Sequence, residues 1–100
     1  MELLFALILS ASPRDEAKVL LQEANLALRA GYLGHARALL EEATVVDHTF
    51  ASVYRSLGIT CARLGDGDAA VDAYRHYLWL SPAAEDYRVV SQIIADYVGD

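Results

Sequence analysis

The stretch ASVYRSLGITCARLGDGDAAVDAYRHYLWLSP, residues Ala51–Pro82, decides the fold because it reads as one complete helix–turn–helix unit. Tyr54, Gly58 and Cys61 recur at spacings of four and three, which puts a large, a small and a medium residue on one face of a first helix. Leu64-Gly65-Asp66-Gly67 breaks that pattern. Ala70, Tyr74 and Tyr77 resume it on a second helix, with Asp66 or Gly67 near its cap. Ser81-Pro82 reads as the end of that helix and as a cap and first-turn proline for the next.

The pattern recurs upstream at a fixed interval. Leu20 and Tyr54, Ala24 and Gly58, Ala27 and Cys61, and Gly31 and Gly65 are each 34 residues apart, as are Ala36 and Ala70, Leu40 and Tyr74, and Ala43 and Tyr77. A helix pair of this length cannot bury its apolar face alone, so copies stack and each completes the core of the next. The upstream copy opens on Ser12-Pro13-Arg14-Asp15, an N-cap serine, a first-turn proline and an acid placed for a capping box. Its first helix is expected to run to about Ala30, where Gly31 stops it, and its second from about Gly34 to Val46, with Asp47 or Thr49 capping the next helix. Downstream, Ala83–Val98 reads as a fifth helix with Val89, Val90, Ile93, Ile94 and Tyr97 on its apolar side and Arg88, Ser91, Gln92 and Asp96 facing water. Gly99 falls one more interval beyond Gly65. The chain thus divides into an apolar segment and helix start (1–16), two repeats (17–50 and 51–84) and a capping helix (85–99).

Composition narrows the function classes. One hundred residues, 55% of them hydrophobic, make one small domain. A net charge of −6 argues against nucleic-acid and anionic-membrane binding, which call for basic surfaces. Cys61 is the single cysteine, so no intramolecular disulfide forms, which fits a cytoplasmic setting. Three readings fit the apolar run Met1–Ala11: a short helix lying across the first repeat or against a second copy, a secretory signal or membrane attachment, or the second helix of an earlier repeat in a longer chain. Against the signal stand Glu2 where a cation is expected and a mediocre cleavage site at Leu9-Ser10-Ala11.

The residues resemble the tetratricopeptide repeat. Tyr54, Leu57, Gly58, Gly65, Ala70, Tyr74 and Pro82 stand at that family's large, small, turn and proline positions. In the first copy Leu20, Ala24, Gly31, Ala36, Leu40 and Ala43 fit, while Glu23 replaces a leucine and His48 a proline. Tyr77 is bulky where a small residue is usual. The small residues Ala24 with Ala36, and Gly58 with Ala70, are expected to let paired helices approach closely. The resemblance implies an all-α fold of antiparallel helix–turn–helix repeats stacked as a short right-handed α-solenoid, about two units plus a C-terminal capping helix. It also implies a concave groove lined by the first helices. There it places Lys18, Leu21, Asn25, Leu28 and Arg29, then Arg55, Ser56, Ile59, Ala62 and Arg63, then Val89, Ile93 and Tyr97.

That groove set holds four of the chain's eight Lys and Arg residues and no acid. An apolar floor with Arg29, Arg55 and Arg63 around it suits an extended or helical peptide bearing acidic residues or a free C-terminal carboxylate. The competing reading pairs these arginines with acids of the chain itself, such as Glu23. The grip used by heat-shock-chaperone-tail binders is not implied, because only Asn25 matches it.

Catalytic chemistry is thinly represented. His35, His48 and His76 are widely spaced, without the i, i+4 pairing of zinc helices, and read as solvated. Cys61 lies on a packing stripe and reads as a small buried apolar residue. Gly65-Asp66-Gly67-Asp68 carries acids where a phosphate loop needs bare amides, and too few oxygen ligands follow it for calcium. The expectation is a non-enzymatic protein–protein interaction scaffold with no cofactor and no metal, binding a protein or peptide. The alternative is a self-associating homodimer sealed through residues 1–11, since two and a half repeats fall below the usual minimum of about three.

Overall fold

The computed structural model describes residues 12–99, which form five helices: α1 (Pro13–Arg29), α2 (Leu33–Val46), α3 (Ala51–Arg63), α4 (Gly67–Leu80) and α5 (Tyr87–Val98). No strand occurs among the described residues. Helix α1 begins as its sequence dictates: Ser12 Oγ accepts the Asp15 N–H at 3.1 Å while Asp15 accepts the Ser12 N–H at 3.4 Å, and Pro13 occupies the first turn. Gly31, Gly65 and Gly99 follow α1, α3 and α5 at the 34-residue interval, and all three are left-handed, with φ of 85°, 80° and 82°. The first two close identical terminations. Tyr32 N–H bonds to Ala27 O and Asp66 N–H to Cys61 O, both at 2.9 Å, while Gly31 and Gly65 donate to Leu28 O and Ala62 O at 3.1 Å. The chain therefore reverses the same way after each first helix.

Helices α1 and α2 pack as one pair and α3 and α4 as another; α3 also packs on α2 and α1, and α5 packs on α4. The core has two clusters. Ala24, Leu40, Ala43 and Val53 join the first pair to α3, and Tyr54, Cys61, Ala70, Tyr74, Tyr77 and Val90 fill the space between α3, α4 and α5. Leu57 packs against both. The deeply buried Thr60 hydroxyl is satisfied by Ser56 O at 2.8 Å, one turn back.

Gly58 makes its closest approach to the ring of Tyr74, whose two nearest carbons would lie 2.6 Å from an added Cβ. Several expectations need correction. The fifth helix starts at Tyr87, four residues later than Ala83, so Ser81-Pro82 does not cap it. Two successive turns, Ala84 N–H to Ser81 O and Tyr87 N–H to Ala84 O, occupy the intervening residues. Neither Asp47 nor Thr49 caps α3, whose N-cap is Phe50 with no side-chain bond. Asp47 is instead turned back onto Thr49, accepting its N–H at 3.0 Å and its hydroxyl at 2.7 Å. Asp66 does cap α4, accepting the Ala69 N–H at 3.1 Å. The bulky Tyr77 is accommodated: its ring is buried and its hydroxyl reaches out of the core to Asp86.

Substituting Gly58→Ala should destabilise the chain by about 1–3 kcal/mol through overpacking against Tyr74. Urea unfolding followed by far-ultraviolet circular dichroism measures this. Combining it with Tyr74→Leu should cost less than the sum of the two single changes, because the second removes the ring that the new methyl strikes.

Candidate partner-binding surface

The exposed side of α1 and α3 carries most of the residues the sequence nominates. The two helices are stitched side by side: Ser56 Oγ donates to Asn25 Oδ1 at 3.0 Å, and Arg63 Nη1 to Leu28 O at 3.4 Å. Leu21, Leu28, Ile59 and Ala62 of this apolar strip are half-buried, Leu21 packing on the first cluster and Ile59 and Ala62 on the second, while Lys18, Arg29 and Arg63 of the two helices are exposed. Asn25 and Ser56 thus satisfy each other as well as facing outward.

Arg55 has a different job. Its Nε donates to Asp86 Oδ2 at 2.7 Å, while Tyr77 Oη donates to Asp86 Oδ1 at 2.6 Å. The acid that meets this arginine is therefore Asp86 from the loop before α5, and Glu23 is not its partner. The first pair contains a matching arrangement. Arg14 Nε donates to Asp47 Oδ2 at 2.6 Å, Thr49 Oγ1 donates to Asp47 Oδ1 at 2.7 Å, and the Arg14 guanidinium lies 4.5 Å from the centre of the Phe50 ring. In each pair an arginine on the first helix clasps an aspartate in the loop after the second, and a hydroxyl holds the other carboxylate oxygen. Sequence reading missed both because the partners lie off the 34-residue grid, at separations of 33 and 31. The available signal was an aspartate in the loop after each second helix.

The α5 residues divide. Ile93 packs on the α3–α4 cluster, Val89 is 62% exposed, and Tyr97 rests its ring against Gly67 at the start of α4. Helix α5 makes no close backbone approach to α3, so Tyr97 stands beside α4 and apart from the α1–α3 strip. Arg88, Gln92 and Asp96 are exposed, whereas Ser91, also expected to face water, is half-buried.

On the opposite side, a cleft of about 350 Å³ between α2 and α4 is lined by Arg37, Glu41, Tyr54, Cys61, Asp72 and His76, among others. Arg37 bridges Glu41 at 2.8 Å and Asp66 at 3.2 Å, tying α2 to the cap of α4. His76 is exposed but not merely solvated, since its ring stacks on Tyr54 at 4.6 Å and 11°. Burial pushes the Cys61 thiol up, against the opposing pull of Arg37, which keeps it protonated and unreactive at neutral pH. Val45 and Trp79, one interval apart on the second helices, are 85% and 82% exposed. Among the described residues no group of His, Cys, Asp and Glu side chains is arranged to hold a metal ion, and no helix is long and apolar enough to cross a membrane.

No protein-family model matches this chain, and no curated protein matches it either.

The clasps set an acid limit. Hydrogen bonds from Arg14, then Thr49, hold Asp47 down at about 2, and those from Tyr77, then Arg55, hold Asp86 below the usual carboxylate range. In the unfolded chain both titrate near the ordinary value of about 4, so the contribution of each is complete above that pH and is lost as pH falls through its lowered value, about 2 for Asp47. Thermal melts from pH 6 down to pH 2 should show this decline, and Asp47→Asn and Asp86→Asn should each lower the melting temperature at pH 6 while flattening the acid limb. Labelling of Cys61 by a thiol reagent should be slow in the folded chain and accelerate with urea along the unfolding curve.

Proposed function

We propose that this chain is a non-enzymatic interaction scaffold of the tetratricopeptide type, two helix pairs and a capping helix stacked in a right-handed sense, which binds a partner peptide or protein along the α1–α3 face. The family reading is supported by the 34-residue register of the left-handed glycines and by the matched terminations of α1 and α3. The observation that carries the function is the α1–α3 strip itself. Half-buried Leu21, Leu28, Ile59 and Ala62 are flanked by exposed Lys18, Arg29 and Arg63, a cationic border in a chain of net charge −6. An extended or helical segment bearing carboxylates, including a free C-terminus, matches that arrangement: its apolar side chains rest on the strip and its acids meet the cations. Arg55 is a positioning residue in this reading, because its guanidinium is already committed to Asp86. The alternative of a homodimer sealed by residues 1–11 falls outside the described residues, as does attachment to a membrane through them. A cytoplasmic setting is part of the same proposal and rests on cysteine usage alone.

The test is a fluorescence-anisotropy screen of peptides varied in acidic content and in C-terminal carboxylate or amide, against the native chain and an Arg29→Glu/Arg63→Glu variant. Acidic peptides should bind preferentially and more weakly as salt rises, and the double reversal should weaken binding about tenfold or more. Equal binding to both proteins, or no preference for acidic peptides, would overturn the proposal. Reversing Arg55 would not discriminate, since it would also open the Asp86 clasp.

A further inference from the structure

One face of α1 is left uncovered by the rest of the described chain. Val19 and Leu26 lie seven residues apart on it and are 53% and 62% exposed. One interval downstream stand Val53 and Thr60, both fully buried, with Val53 packed among Ala24, Leu40 and Ala43 of the first pair. One interval further, Ile94 occupies the position of Thr60 and packs on the α3–α4 cluster. Val53 and Thr60 of α3 and Ile94 of α5 are thus covered on this face, while Tyr87, at the Val53 position of α5, is 40% exposed; α1 presents the same face with nothing described against it. Beside it runs an apolar groove of about 330 Å³ whose lining includes Val19, Leu20 and Val46.

We infer that residues 1–11 cover this face within the same chain, taking the place that the second helix of a preceding pair would fill. Three observations select this occupant. Leu40 and Ala43, with Leu39 packed beside them, bury Val53; one interval upstream of these three stand Phe5, Ala6 and Leu9, all apolar. The segment joins the face directly, because its last residue precedes Ser12, the N-cap of α1. Its reach as a helix is sufficient for Val19: 11 residues span about 16 Å at helical rise, whereas Val19 lies about 9 Å along α1 from Pro13. A surface as apolar as MELLFALILSA is costly in water, and so are Val19 and Leu26; covering one with the other removes both costs. The inference is independent of the α1–α3 partner strip, which lies on another side of α1.

Disulfide trapping in the full-length chain tests it. Val19→Cys is combined in turn with Phe5→Cys, Ala6→Cys, Ile8→Cys and Leu9→Cys, a set that covers more than one helical turn. Val45→Cys on the outer side of α2, 85% exposed, replaces Val19→Cys as the control. The native Cys61 is fully buried and stays out of the reaction. Under mild oxidation by oxidised glutathione at micromolar protein, at least one Val19→Cys pair should close within the chain about tenfold or more faster than its Val45→Cys counterpart, at a rate independent of protein concentration. Linking no faster than the control would overturn the inference. Links that form between chains, at a rate rising with concentration, would overturn it too and assign the face to a second copy.

Discussion

Helix α3 must bury two faces at once, and the rest of the fold depends on how that is met. Its sequence, ASVYRSLGITCAR, is a poor helix former, rich in β-branched and aromatic residues and interrupted by Gly58, and no side chain caps its start. Nothing local compels it to be helical. It is held by what it touches: Val53 enters the first cluster, Tyr54 and Cys61 enter the second, and Leu57 packs on both. Helix α1 is the opposite case, with a capping box, a first-turn proline and a run of Ala, Leu, Glu and Lys that favours the helix before any packing. The locally encoded helix and the packing-dependent one lie side by side, so forming α3 couples the two pairs into one cooperative unit.

The polar chemistry reinforces this division of labour. The loops after α2 and α4 carry no side-chain cap for the next helix, yet neither is loose, because an arginine from the first helix of each pair holds its aspartate and a hydroxyl holds the second oxygen. Each clasp closes a pair on itself rather than joining it to its neighbour. Junctions between pairs are left to apolar contact and to the Asn25–Ser56, Leu28–Arg63 and Arg37–Asp66 links.

The features legible in the amino-acid order are the ones that repeat. The interval of 34, the buried alanines at 24, 36, 43 and 70, and the glycine terminations all arise from steric demands that recur in every copy. The illegible ones depend on single side chains reaching across the fold. Arg14 with Asp47 and Arg55 with Asp86 are exposed polar residues far apart in sequence, and no periodicity connects them. The start of α5 is misleading because Ser81-Pro82 has the chemistry of a helix cap, whereas tying Asp86 to Arg55 and Tyr77 places the first helical turn after it. Gly58 is recognisable as a close-approach residue, but not that the ring of Tyr74 is what comes closest to it. The α1–α3 strip is legible as a charge asymmetry, and only the geometry separates Arg55, paired with Asp86, from Arg29 and Arg63.

Trp79, the only indole in the chain, points away from both clusters on the outer side of α4 and remains 82% exposed. Its surroundings are aqueous whether the chain is folded or unfolded, so its emission carries almost no information about folding. That same insensitivity gives it a use: any change in its fluorescence reports an event on the outer surface of the second helices, against a background that unfolding barely moves.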